Sequence, residues 1–176
     1  ATRSALEKLG MRVVTLPIAR TVGEAQAQVM ELARLAGHPE RGEAMAAGMA
    51  QALRRAAPPP GSPAVSAVVW QSGGIVPGED TLIADLLRRT GFVQLSAARG
   101  LKQADMLPLE AMLADPPRVI LAAGDSHSAE DRMLAHPALA RLDGTRRERL
   151  DPALLWCGGP SVARAAARLA QVRRAL

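Results

Sequence analysis

The chain has 176 residues, 48% hydrophobic and 22% charged, which is enough apolar content to bury a core in one or two small lobes and argues against a chain disordered as a whole. No apolar run approaches the roughly 20 residues of a membrane-spanning helix, and Ala1-Thr2-Arg3-Ser4 lacks the apolar stretch of a signal peptide. The net charge of +5 is dispersed among 17 acidic residues with no aromatic stacking platform, so no nucleic-acid partner is expected, and the lone Cys157 excludes a disulfide framework without deciding the compartment.

In chain order, residues 4–9 read as the end of a helix stopped by Gly10, and residues 11–16 as a strand closed by Pro17. One helix and one strand cannot close a sheet, so this unit reads as the end of a lobe that begins earlier. Thr21 and Glu24 have capping-box spacing, and Val22, Ala25, Val29, Leu32, Ala33 and Ala36 follow with helical periodicity. Gly37-His38-Pro39 ends that helix and opens a second one, which runs to about Ala57. Pro58-Pro59-Pro60-Gly61-Ser62-Pro63 cannot continue a helix and reads as a semi-rigid boundary.

Beyond it, strands at 66–70, 92–95, 118–122 and 146–150 alternate with helices at 81–89, 108–114, 128–139 and 160–175. That interleaving predicts an α/β layer fold around a mainly parallel sheet. The expected organisation is residues 1–20 as the end of an N-terminal lobe, 21–57 as a helical connector, 58–63 as the boundary and 64–176 as a complete C-terminal three-layer α/β lobe.

Open parallel sheets bind ligands beyond the carboxyl ends of their strands, which directs attention to three loops. They are Trp70-Gln71-Ser72-Gly73-Gly74, Gly124-Asp125-Ser126-His127 and Trp156-Cys157-Gly158-Gly159-Pro160. The chain has two Trp, one Phe and no Tyr, and each Trp stands beside a Gly-Gly pair. One reading is a flat apolar platform with bare backbone for a bulky ligand; the other is a pair of core plugs beside tight turns.

Several segments carry a resemblance to a known family. Thr81-Leu82-Ile83-Ala84-Asp85-Leu86-Leu87-Arg88-Arg89-Thr90-Gly91 follows a Gly-rich turn, Leu107-Pro108-Leu109-Glu110-Ala111-Met112-Leu113 leads into Pro117-Arg118-Val119-Ile120-Leu121, and Leu155-Trp156-Cys157-Gly158-Gly159-Pro160 precedes the last helix. In order and spacing these resemble the C-terminal lobe of the periplasmic binding proteins that serve ABC importers of ferric siderophores, haem and cobalamin. The resemblance implies a two-lobed, helical-backbone fold with most of the N-terminal lobe upstream of residue 1, and the helix from Pro39 to about Ala57 as connector. It implies a monomeric periplasmic carrier, made with a signal peptide, that delivers a metal-chelate or corrinoid ligand to a membrane permease with no resident cofactor. Residues 70–74 and 156–159 are the expected ligand-binding segments, and Glu110 the expected carboxylate that docks on the permease; without the resemblance, Glu110 reads as a first-turn charge complementing its helix dipole. Gln94 stands where such proteins commonly have Asn, and the loop 99–105 lacks the aromatic that many of them carry.

Catalytic and metal sites are not expected. Asp125, Ser126 and His127 are sequence neighbours, whereas a triad is defined by geometry, and Ser126 or Ser128 reads as a helix N-cap with Glu130 and Asp131 in the first turn. There is no G-x-S-x-G elbow, no dinucleotide or P-loop fingerprint, and His38, His127 and His136 lack metal-ligand spacing with Cys157. The alternative is a cytoplasmic two-lobed α/β enzyme or chelatase-like protein, which needs polar catalytic groups the chain does not concentrate.

Overall fold

The computed structural model describes residues 2–101, 104–124, 136–155 and 158–176. Helix α1 (Thr2–Lys8) is short and has no buried residue, and it leads into residues 11–20, which form no helix or sheet pairing. The strand expected at 11–16 is therefore not formed. A strand exists only where another backbone answers its amides, and neither described sheet includes this segment. Leu9, Met11, Val14 and Ile18 are left exposed.

Helix α2 (Val22–Leu35) begins as its cap predicts: the Thr21 hydroxyl accepts from the Glu24 N–H at 3.2 Å. The Glu24 carboxylate reaches back to the Arg20 N–H at 2.7 Å, one residue earlier than in the standard box. Helix α3 (Pro39–Ala56) starts on Pro39 and packs closely against α2. Gly42 is the contact point, since a Cβ there would stand 2.6 Å from the Ala33 Cβ and 3.1 Å from the Met30 Cα.

The remaining elements follow in the order β1 (Val65–Gln71), β2 (Ile75–Pro77), α4 (Leu82–Arg89), β3 (Phe92–Gln94), α5 (Leu95–Ala98), β4 (Ala104–Met106), α6 (Leu109–Ala114), β5 (Val119–Ala123), α7 (Pro137–Ala140), β6 (Arg146–Arg149) and α8 (Ser161–Arg174). Among the described residues the main sheet is four-stranded and wholly parallel, in the order β3-β1-β5-β6. β2 and β4 form a separate antiparallel ribbon that sequence reading took for loops, because three-residue strands are too short to show alternation. Leu95 opens α5 instead of ending the third strand. Of the helix expected at 128–139, only residues 136–139 are described, and 137–139 lie in α7.

The two central strands, β1 and β5, are buried on both faces, as strands inside a parallel sheet are, while the edge strand β6 is largely exposed. Along β1, Ala67 and Val69 join Phe92, Val119 and Leu121 in a cluster closed by α2, α3, α4 and α8. Val68 and Trp70 point the other way, into a second cluster with Ile120, Val76, Leu95, Leu107, Met112 and Leu139. Helix α8 supplies Val162, Ala165, Ala166, Leu169 and Ala170 to the first cluster, the i, i+3, i+4, i+7, i+8 stripe of a helix lying on a core. Each fully buried Val, Leu or Ile contributes about 1.5–3 kcal/mol. The proline tract lies on this body: a Cβ on Gly91 (φ +86°) would meet the Pro58 Cγ at 2.9 Å, and Arg173 donates to the Pro63 carbonyl at 2.7 Å.

A buried charge joins α2 to the sheet-bearing part of the chain. The Asp85 carboxylate on α4 accepts from the Val22 N–H at 2.9 Å, Arg89 Nε at 2.8 Å and Arg88 at 3.5 Å. Val22 opens α2, so Asp85 satisfies an amide that has no partner within its own helix. Burial pushes the Asp85 carboxyl up, but the Val22 amide and the guanidinium groups of Arg89 and Arg88 outweigh it and hold the group below its usual value. A carboxylate whose folded pKa is depressed stabilises the fold above its unfolded pKa, and that contribution disappears as pH falls through the folded value. Asp85→Asn is expected to lose roughly 1–3 kcal/mol at neutral pH. In urea titrations between pH 7 and pH 2 the gap from the parent chain should close below the unfolded carboxyl value of 3.8; a constant gap down to pH 2 contradicts the assignment.

Candidate functional site

β1 connects through α4 to β3 on one side, while β5 lies on its other side and continues to β6. The connections therefore diverge between β1 and β5, and the crevice beyond the carboxyl ends of these two strands is where an open α/β sheet receives a ligand. Gln71 ends β1 opposite Ala123, the last residue of β5, so the segment after Gln71 lies at this position.

Ser72–Gly74 make a tight 3-10 turn there. Gly73 and Gly74 have φ of +69° and +81°, a left-handed conformation that disfavours other residues and accounts for the glycine pair. Gly73 is exposed, and a Cβ on it would touch nothing within 4 Å, so its backbone is open to an approaching group. The Gly74 carbonyl accepts from Leu107 N–H at 3.0 Å, which ties the turn to the end of the β2–β4 ribbon. Gln71 and Ser72 are half-buried.

Trp70 is corrected by the structure. Its side chain is 0% exposed and forms part of the second core cluster, so it cannot offer a face to a ligand in this conformation. The reason is strand alternation: Trp70 lies inside β1, one residue before its end, and its side chain projects from the face of the sheet instead of its edge. Ala122, its partner in register on β5, leaves space for the indole. The indole N–H has no hydrogen-bond partner among the described residues.

Trp156 and Cys157 lie outside the described residues, as do Lys102 and Gln103 and the segment 125–135 with Asp125, Ser126, His127, Ser128, Glu130 and Asp131. Gly158 and Gly159 are half-buried just ahead of α8. Gly158 has a packing reason for its size, because a Cβ there would stand 3.1 Å from the Ala25 Cβ and 3.5 Å from the Ala19 Cβ. The segment entering α8 thus passes against α2 and the residues before it. Glu110 lies in the first turn of α6, exposed, and forms no ion pair among the described residues. Arg99 braces this helix by donating to the Ala111 carbonyl at 2.9 Å.

Sequence reading missed two features near this end of the sheet. A cavity of about 550 Å³ is lined by Arg149, Asp151, Pro152, Leu154, Arg164 and Arg168, beyond β6 and beside α8. Arg168 is held there by Glu148 at 2.8 Å and by the Arg149 carbonyl. The Arg146 guanidinium, and Arg168 with it, keep the Glu148 carboxyl below its usual range. The arginines are separated in sequence by a 3-10 turn and a helix start, so no local pattern announced them. The second feature is a buried knot in which Gln94 donates to the Pro77 carbonyl and lies 2.6 Å from the Ser96 hydroxyl, fixing the end of β2 on β3. Gln94 thereby acquires a structural role.

Among the described residues no group of three or more His, Cys, Asp or Glu side chains is placed to hold a metal, and no helix is long and apolar enough to cross a membrane. Residues 1–150 match the periplasmic binding protein family, and the chain belongs to that family, whose members are non-enzymatic substrate-binding components of transporters. No curated protein sequence matches it.

Solved structures agree on the fold. A periplasmic heme binding protein of Pseudomonas aeruginosa is 27% identical with a TM-score of 0.76, the alignment covering 97% of this chain and 66% of that one. The periplasmic vitamin B12 binding protein of Vibrio cholerae is 14% identical with a TM-score of 0.70, over 99% and 71% of the two chains. A component of an ABC-type ferric hydroxamate transport system from Saccharomonospora viridis is 19% identical with a TM-score of 0.74, over 97% and 64%. The chain therefore spans about two thirds of the length of these proteins.

The burial of Trp70 yields a direct test. In Trp156→Phe, Trp70 is the sole indole of the chain, and its emission is expected to be blue-shifted and nearly insensitive to acrylamide. Ready quenching in a folded sample contradicts its place in the core.

Proposed function

We propose that the protein is the periplasmic substrate-binding component of an ABC importer and captures an iron-siderophore, haem or cobalamin ligand in a cleft between two lobes. The observation that carries this reading is the family match over residues 1–150. The names of the solved relatives, which specify heme, vitamin B12 and ferric hydroxamate, support this ligand class.

In this reading residues 64–176 form one wall of the cleft, 21–57 the connector, 58–63 the boundary and 1–20 the end of the other lobe. The exposed apolar side chains of Leu9, Met11, Val14 and Ile18 support a further lobe, since a covering sheet and helices would bury them. Gln71, Ser72 and Gly73 meet the ligand from β1, through open backbone and short polar groups, with Gly74 buried beneath them as the anchor of the turn, and Trp156, Cys157, Gly158 and Gly159 meet it from the turn before α8. Trp70 supports this wall from beneath. Glu110 docks on an arginine of the permease, for which its exposed and unpaired carboxylate is suited. The protein holds and releases its ligand without covalent chemistry.

Titration of the intact protein with haem, cobalamin and a panel of ferric siderophores should give saturable quenching of tryptophan emission with at least one of them. A folded sample that responds to none removes the ligand class. Glu110→Arg is expected to reduce uptake at least tenfold while the ligand Kd stays within twofold. A comparable loss of ligand binding places Glu110 in the cleft and overturns its docking role.

A further inference from the structure

A cavity of about 360 Å³ lies where the start of α2, the last turns of α3 and the end of α4 meet. It shares no residue with the turns at 70–74 and 156–159. On α3, Ala50, Leu53 and Arg54 recur at the spacing of one helix face, which the cap residue Ala57 continues, and on α2 Val22 and Gln26 stand one turn apart. Val22 is buried and Ala50 and Leu53 are half-buried, so the depth of the groove is apolar. Arg54 and Arg89 are exposed at its opening.

The walls of the groove are fixed to one another. Gln26 Nε2 donates to the Ala46 carbonyl at 2.8 Å, joining α2 to α3, and the Val22 N–H donates to Asp85 at 2.9 Å, joining α2 to α4. The space is therefore formed before anything enters it, and its size falls within the range of about 300–1,000 Å³ of small-molecule sites.

Positive charge at the opening exceeds negative. Arg89 engages Asp85 through Nε at 2.8 Å, and its terminal nitrogens have no acceptor among the described residues. Asp85 is also shared with Arg88. Arg54 forms no hydrogen bond or ion pair among the described residues; it complements the dipole of α3 from the last turn, which occupies none of its N–H donors. The other acids of these helices are placed elsewhere. Glu24 accepts from the Arg20 N–H, Glu31 pairs with Arg34, and Glu40 and Glu43 stand near the start of α3, at the opposite end from Arg54. Guanidinium groups with free donors at the opening of an apolar groove fit a negative head on an apolar chain, because a carboxylate accepts paired N–H bonds from a guanidinium.

We propose that this groove binds an amphipathic monocarboxylate of the fatty-acid class, with its carboxylate at Arg54 and Arg89 and its chain along Val22, Ala50 and Leu53. The site is separate from the interlobe cleft and stands whether or not the carrier reading holds.

The probe is octanoate, titrated calorimetrically into the intact protein, with octan-1-ol and acetate as controls that keep only the chain or only the head. Octanoate is expected to bind saturably with a Kd of about 1 mM or tighter, within reach of a ligand of about ten non-hydrogen atoms. Both controls should bind at least tenfold more weakly. Arg54→Gln is expected to weaken octanoate at least fivefold, and Ala50→Phe, which fills the groove, at least tenfold. If Ala50→Phe does not fold, Arg54→Gln decides alone, since that side chain is exposed and unpaired among the described residues. Absence of saturable octanoate binding overturns the inference. Binding that is unchanged in the variants also overturns it, by placing the site elsewhere, as does octan-1-ol binding as tightly as octanoate, which removes the role of the arginines.

Discussion

Burial of β1 on both faces is the constraint from which the arrangement follows. The strand lies between β3 and β5, with Ala67 and Val69 sealed under the helical layer and Val68 and Trp70 under the ribbon and the short helices. A strand enclosed in this way cannot slip by one residue without exchanging its two sets of side chains. Its end at Gln71 is consequently fixed in space, and so is the tight turn that follows. The same alternation that places Trp70 in the core leaves the backbone of Gly73 free at the sheet's edge. The turn at the switch point is thus built from main chain and short side chains on a rigid base.

The helical layer is joined to that base by two different means. Gly42 and Gly158 allow close approach, the first between α2 and α3 and the second between the entry to α8 and Ala19 and Ala25. Asp85 acts through charge, with one carboxylate satisfying the first amide of α2 and two arginines of its own helix. Removing one partner of such a cluster leaves buried polar groups uncompensated, which is why a single side chain can govern how α2 sits on the sheet-bearing part of the chain.

A protein that binds and releases an intact ligand has no need of the preorganised acid, base and nucleophile that mark an enzyme. Among the described residues, Asp85 and Glu148, whose carboxyls are held below their usual values, serve ion pairs that hold elements together, and the groups at the switch point are an amide, a hydroxyl and bare glycine backbone. Charge is used at the periphery instead, as an arginine-lined cavity beside α8.

The sequence by itself determined the chain order of the main sheet's strands, the helix cap at Thr21, the helix start at Pro39, and the family, because each depends on periodicity or turn chemistry within a short window of chain. It also located the turn at Gly73 and Gly74, since a left-handed backbone selects glycine locally. Only the tertiary structure decided which way Trp70 points, that residues 11–16 pair with nothing described, that three-residue strands 30 positions apart form a ribbon, and that Asp85 reaches Val22 across 63 residues. Those outcomes depend on what the rest of the chain brings alongside, and side-chain direction and strand pairing are properties of neighbours in space, which no local window of sequence contains.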